Sequence, residues 1–382
     1  MAQAALRQPR RIAHPILARV LLLAVGFLFA CLLGEAALRV GGYGRSYVNA
    51  FSMFFEVDGL VGVRGRPNFT GRLKNDEMDA VISHDARGFR KPAQQIPAPP
   101  QSRNVHVLGD SFMWGWGVGQ GQVISDHLQQ RLADRRVQNF AVASLGTVQE
   151  FVIFEKYVLP ELHRGDAVVL GFCGSNDFRD NLGENLCGRL HATLVDGAIR
   201  LVPPDGTACP SRLNQQLRDA SELFNLLIYS WNRGRAAWMN GSLTLAEQNA
   251  PQSADAHRAV SAADQERYGD NTPEVIVATH YLRAFQSACA ARGAEFVIVY
   301  IPRQEEFGEL VEYKGPAFSS RDRQTLLLLS KRLGIDVVDL LPRFRECKRQ
   351  APHQRLTYAE GHWNATGHQV AADCVCDYLS AR

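Results

Sequence analysis

The sequence predicts an α/β domain built on a doubly wound, mainly parallel sheet. Short Val/Ile/Leu-rich runs alternate with longer segments whose apolar residues recur at helical spacing. One of them, Ala167–Phe172, is a continuous Val/Leu run of the kind found in strands covered on both faces. The chain has 382 residues and is 46% hydrophobic, enough for one large buried core with additions. A net charge of only +3 carries no strong nucleic-acid footprint, and no internal repeat or long low-complexity tract is present.

From the N-terminus, residues 1–15 are basic, with Arg7, Arg10 and Arg11 and no acidic residue. Ile16 to Leu33 is apolar apart from Arg19, which lies near one end and can snorkel. Eighteen helical residues rise roughly 27 Å, close to the hydrocarbon thickness of a bilayer. Residues 16–38 are therefore expected to form a transmembrane signal-anchor. The positive-inside rule keeps residues 1–15 in the cytoplasm and sends the rest outward, into the periplasm where the cell has one. A cleaved signal peptide is the rival reading. The stretch is long for one, and Glu35-Ala36-Ala37 is a poor cleavage site. Both readings export the main domain and make disulfides possible. By proximity in sequence, the candidate pairs are Cys187 with Cys209, and Cys347 with Cys374 or Cys376.

Residues 41–100 carry many Gly, Arg and Pro with short apolar runs such as Phe51 to Val57, and read as a small, partly β lead-in. Pro97, Pro99 and Pro100 close it as a linker. The main domain, 101–382, then alternates. Val105–Leu108, Val137–Val142, Ala167–Phe172, Glu295–Ile301 and Ile335–Leu340 read as strands. Ile124 to Leu132, Val148 to Leu159, Glu274 to Ala291, Gln324 to Leu333 and Gly367 to Leu379 read as helices. Strands separated by helices imply a flavodoxin-like five-stranded sheet with helices on both faces. His106, on the first strand, is expected in the core.

An insertion, residues 181–272, interrupts the alternation. Its first part reads as loops with a short hairpin. Leu213–Trp238 has apolar residues at helical spacing with several aromatics, so the insertion is partly helical. It suits a cap over a site or a helix on the core edge. Ser242–Arg267 is polar and Ala-rich, with little core signal.

In such a sheet, ligands sit outside the C-terminal ends of the strands. The first strand delivers Gly109-Asp110-Ser111 there, and the second Asn139 to Thr147, including Ser144 and Gly146. The third delivers Gly174-Ser175-Asn176-Asp177, and the fifth a loop ending in Glu360-Gly361-His362. One edge thus collects a hydroxyl, backbone N–H donors, a carboxamide and an imidazole. A serine hydroxyl becomes a competent nucleophile only when a base takes its proton. The oxyanion that follows needs donors aimed at it. The bland alternatives are Ser111 as a helix cap, Asn176 and Asp177 as turn residues, and His362 as a structural histidine. Trp114 and Trp116 could line an acyl pocket or simply pack.

Gly109-Asp110-Ser111, Gly174-x-Asn176-Asp177 and the late His362 resemble blocks I, III and V of the SGNH (GDSL) hydrolases. Gly34-Glu35-Ala36-Ala37-Leu38-Arg39 resembles a segment of its bacterial, membrane-anchored, lysophospholipase-like members. The resemblance covers roughly residues 103–180 and 274–380. It implies Ser111 as nucleophile and oxyanion donor, Asn176 as side-chain donor, and His362 as general base and then acid. Gly109, Asp110, Gly174 and Asp177 would support them. The family's second block usually supplies a glycine N–H. A gapless match puts Ser144 at that place, with Gly146 two residues on. The family's acid three residues before the histidine is replaced by Ala359, so Glu360 is expected to orient His362, or a backbone carbonyl does.

The expected activity is hydrolysis of an ester, on a lipid or an acylated cell-surface glycan, through an acyl-enzyme. No cofactor or metal is called for, and the eight cysteines form no CxxC…CxxC pattern. Two further readings use the same residues: O-acyl transfer to a surface polysaccharide, and a degenerate glycan-binding domain.

Overall fold

Two hairpins precede the main sheet. Strand β1 (Phe55–Asp58) pairs antiparallel with β2 (Gly62–Gly65), and β3 (Thr70–Lys74) with β4 (Asp79–Ser83). The structure is a computed structural model that describes residues 15–41, 50–75, 77–94, 103–174, 176–183, 188–209, 212–228, 230–231, 271–309 and 321–382. The Pro97–Pro100 linker, Ser175, Cys187, the stretch Ser242–Arg267 and residues 1–14 lie outside these.

The sheet has five strands: β5 (Arg103–Leu108), β6 (Arg135–Asn139), β7 (Ala167–Cys173), β10 (Glu295–Ile301) and β11 (Asp336–Asp339). A separate hairpin in the insertion supplies β8 (His191–Val195) and β9 (Ala198–Val202). All pairings in the main sheet are parallel, in the order β11-β10-β7-β5-β6. Counted within the sheet this is the 2-1-3-4-5 order of flavodoxin-like folds, with its switch point between β5 and β7. Every residue of β7 is buried, as the continuous Val/Leu run requires.

Local chemistry explains where elements begin and end. The regular part of β6 ends at Asn139 rather than Val142, where Asn139 Oδ1 accepts the Ala141 N–H (2.9 Å), while the Phe140 and Val142 N–H groups still donate to the carbonyls of Val107 (2.7 Å) and Gly109 (3.1 Å). The next helix runs Thr147–Ile153, relaxes into a π turn over Phe154–Val158, and closes as a 3₁₀ turn containing Pro160. The helix Pro273–Arg292 starts with proline and ends at Gly293, where φ is 66°. The last helix, Ala365–Ser380, is capped by Asn364 Oδ1 accepting Gly367 N–H (3.0 Å). A helix over Leu341–Gln350 was not expected. It buries only Leu341 and Phe344, so its apolar periodicity is faint.

His106 is in the core at 1% exposure, with Nε2 3.5 Å from Asp166. Cys347, Cys374 and Cys376 are free thiols, so the expected C-terminal disulfide is not formed.

Residues 1–49 and 213–244 form a unit of their own. Within it, the helix Pro15–Gly41 contains a span, Ile16–Gly41, whose most apolar 18-residue stretch has mean hydropathy 2.7 and which is long enough to cross a membrane. The stretch from Leu213, expected as a cap or core-edge helix, groups with this helix. The Glu35 carboxylate accepts from Ser221 Oγ (2.9 Å) and from the N–H groups of Glu222 (3.0 Å) and Leu223 (2.9 Å). It thereby satisfies the first turn of the helical residues 222–228. Arg39 donates to Glu35 (2.7 Å) and to the Ala220 carbonyl (2.8 Å). The Gly34–Arg39 segment thus has a structural role as a helix-capping clasp.

In the main unit, the turn after β5 is shaped by one side chain. Fully buried Met113 lies against the backbones of Gly109 and Gly171. A Cβ at Gly109 would sit 2.5 Å from Met113 Cγ, and Gly109 has φ 144°. Gly109→Ala should therefore lower stability by about 2–4 kcal/mol, combining backbone strain with overpacking. A denaturant midpoint unchanged from wild type would refute this account of the turn.

Candidate active site

The strand-to-helix turn sets Ser111 at the first position of a short helix, Ser111–Trp114. Asp110 caps it, with Oδ1 accepting the Phe112 N–H at 2.9 Å. The hydroxyl of Ser111 is 2.7 Å from His362 Nε2. His362 Nδ1 is 2.5 Å from Glu360 Oε2. The three side chains form a continuous chain of hydrogen bonds, although Ser111 and His362 are 251 residues apart.

The histidine loop is a tight turn. Tyr358 N–H donates to the His362 carbonyl (2.8 Å), and Thr357 bridges Trp363. Gly361, between Glu360 and His362, has φ 110°, which an L side chain rarely adopts. Fully buried Trp363 anchors the far end of the loop. Two aromatic rings flank the imidazole: Phe112 at 4.9 Å and Trp116 at 5.9 Å between centroids. Trp114 instead is fully buried against Phe54 and Phe55. Of the two tryptophans, Trp116 is beside the site and Trp114 is packing.

The turn after β6 supplies Ser144, with φ 62°. The expected glycine-like conformation is present, held by a serine. The Gly146 N–H is committed to Gln149 Oε1 (2.8 Å), so Gly146 is withdrawn as an oxyanion donor. Asn176 caps the short helix Asp177–Asp180. Its Nδ2 donates to Asp180 Oδ2 (2.9 Å), and the side chain also hydrogen-bonds Asp110. Asp177 accepts the Cys173 N–H through Oδ2 (2.6 Å), which locks the end of β7. Gly174 leaves room for Tyr300, whose Cε2 would meet a Cβ at 3.0 Å.

Behind Ser111, four carboxyl groups are buried together: Asp110, Glu150, Asp177 and Asp180. Burial raises Asp110 to about 6, opposed by the Phe112 N–H bond and His362. Burial, then repulsion from its neighbours, raises Glu150 and Asp177 well above the carboxylate range. Glu150 was not singled out in the sequence. Its signal was a Gln149-Glu150 pair inside an otherwise apolar helix, at positions that turn out fully buried.

Neither a protein-family model nor a curated protein matches the chain. Among solved structures, it is similar to a member of the lipolytic G-D-S-L family from Veillonella parvula: 11% identity over 74% of this chain and 100% of that one, TM-score 0.40. It is also similar to TesA (13%, 73% and 99%, TM-score 0.36) and to the acetyl xylan esterase AlAXEase (12%, 72% and 98%, TM-score 0.36).

Two outcomes follow from this geometry. Ser144→Gly should raise stability by about 0.5–1 kcal/mol, by relieving a left-handed serine while keeping the backbone N–H. A loss of stability would show that the serine side chain matters instead. The second concerns Glu150. The folded chain keeps its proton, whereas the unfolded chain releases it near the ordinary value of 4.5. Above that pH the folded state binds more protons, so this group costs stability as pH rises. Glutamine does not titrate. Glu150→Gln should therefore gain stability relative to wild type between pH 4.5 and 7, read from urea midpoints. A difference independent of pH would mean that Glu150 is ionised in the fold.

Proposed function

We propose that the chain is an extracytoplasmic, membrane-anchored serine esterase of the SGNH (GDSL) type. The observation that carries this reading is the Ser111–His362–Glu360 relay, with Oγ–Nε2 at 2.7 Å and Nδ1–Oε2 at 2.5 Å. As Ser111 Oγ attacks an ester carbonyl carbon, its proton passes to His362 Nε2. Glu360 holds the Nδ1–H and stabilises the imidazolium that forms. The carbonyl oxygen becomes an oxyanion, met by the N–H groups of Ser111 and Ser144. Asn176, whose Nδ2 donates to Asp180 (2.9 Å) and whose side chain hydrogen-bonds Asp110, turns one amide hydrogen from its carboxylate to the oxyanion and keeps the other in place. The tetrahedral intermediate collapses, and His362 returns the proton to the departing alkoxide. Water, deprotonated by His362, then attacks the acyl-serine; the C–Oγ bond breaks, His362 returns the proton to Ser111 Oγ, and the acid is freed.

The membrane assignment is supported by the apolar helix and the basic residues 1–15 before it. They keep the N-terminus in the cytoplasm and put the hydrolase unit on the outer side. The substrate is an acyl or O-acetyl ester on a lipid or a cell-surface glycan.

A fluorophosphonate probe tests the nucleophile. Wild type should label and Ser111→Ala should not; an unlabelled wild type would overturn the reading in favour of a glycan-binding domain. Asn176→Ala should lower kcat on an aryl acetate by on the order of 10²–10³. Near-normal turnover in that variant would remove Asn176 from the oxyanion hole. Adding an oligosaccharide decides the acceptor: acyl-sugar formed at the expense of free acid would replace hydrolysis by acyl transfer.

A further inference from the structure

The lead-in hairpins touch both loops that carry the relay. On the nucleophile side, Arg90 is 3% exposed. Its guanidinium donates to the carbonyls of Gly115 (3.2 Å) and Val118 (2.5 Å), in the turn that follows Ser111–Trp114. Its Nε donates to Gln120 (2.8 Å), and the group lies 5.2 Å from the Trp114 ring centre. On the histidine side, Glu77 stands between β3 and β4. Its Oε2 accepts the backbone N–H of Ala359 (2.8 Å), and its Oε1 accepts from Arg355 (3.0 Å). The two loops are tied to each other by Tyr358, whose hydroxyl donates to the Gly117 carbonyl (3.0 Å).

Glu360 needs such an anchor. Its side chain is 40% exposed, on a turn containing a positive-φ glycine. Ala359, beside it, has only a methyl side chain and no polar group to fix the turn. The Glu77 carboxylate binds the Ala359 N–H directly, and a charge-assisted bond of this kind is stronger than a neutral one.

We propose that Glu77 is a positioning residue for the relay: through the Ala359 N–H it holds Glu360 on His362 Nδ1. The proposal rests on His362 being the catalytic base. It makes the lead-in part of the catalytic machinery rather than a spacer. The competing view is that Glu77–Arg355 is a half-exposed ion pair of little consequence.

A double-mutant cycle on the full chain in detergent micelles separates the two. The set is wild type, Glu77→Gln, Glu360→Ala and the double variant. On an aryl acetate, Glu77→Gln should lower kcat on the order of tenfold with KM unchanged. In the Glu360→Ala background it should change kcat by less than about twofold, because it acts through Glu360. Equal losses in both backgrounds, or no loss in either, would overturn the proposal. Asp79→Asn, which breaks the Arg72–Asp79 pair on the same hairpin, should leave kcat at the wild-type value.

A second readout needs no turnover. The His362 Nδ1 proton, bonded to a carboxylate, should give a low-field proton resonance in wild type. That resonance should be lost in Glu77→Gln and kept in Asp79→Asn. Retention in Glu77→Gln overturns the proposal. Failure of the esterase reading looks different: Ser111 takes no fluorophosphonate, whatever this resonance does.

Discussion

Everything in the main unit serves one contact, Ser111 Oγ to His362 Nε2. The two residues are 251 positions apart, and closing so long a loop has an entropic cost that a single hydrogen bond cannot offset. The sheet meets it. Parallel β5, β7, β10 and β11 send all their C-terminal ends to one edge, and the crossover helices bury both faces. The relay is then the meeting of two turns already fixed by packing: Met113 under Gly109 on one side, and Trp363 beyond the histidine on the other.

The same arrangement burdens the site with buried acid. Asp110, Glu150, Asp177 and Asp180 are all removed from water, yet no cation among the described residues pairs with Glu150 or Asp177 in a salt bridge. Four ionised carboxylates there would be untenable at low dielectric, so protons stay on some of them. This is consistent with the raised values of Asp110, Glu150 and Asp177. A partly protonated set can both accept and donate hydrogen bonds. That suits Asn176, whose amide has to be held by carboxylates without being captured entirely by them. Stability is given up at a place where the chemistry needs a polar, water-free wall.

Much of this was legible in the sequence, for identifiable reasons. The central β7 was marked by a continuous apolar run, because it is buried on both faces, whereas the edge strands β6 and β11 carry only short apolar cores among polar residues. Gly-Asp-Ser and Asn176 could be placed on one edge because each follows directly from a strand end, whereas His362 comes 23 residues after β11, beyond the helix Leu341–Gln350. The Ser144 position was flagged only by the resemblance, whose second block usually has glycine at that place, and the structure has φ 62° there. Glu360 could be offered as the orienting acid on its two-residue spacing from His362. The misses were local. The regular part of β6 ends three residues before Val142, although the Val142 N–H still reaches the Gly109 carbonyl, and the sparse apolar content of Leu341–Gln350 hid a helix.

The illegible part has one physical character: polar contacts between residues distant in sequence. Glu77 and Ala359 are 282 positions apart, and nothing in either neighbourhood points to the other. Hydrophobic periodicity reports which face of an element is buried, not which loop a carboxylate will reach. Glu77 in isolation reads as a solvated charge on a hairpin, and Arg90 as one of many arginines in a Gly/Pro-rich stretch. Only the fold reveals that the first is bonded to the backbone beside Glu360, and the second to the backbone after Ser111. Such residues hold geometry rather than perform chemistry. Their effects should therefore appear as coupling to the relay, a quantity visible only when two positions are changed together.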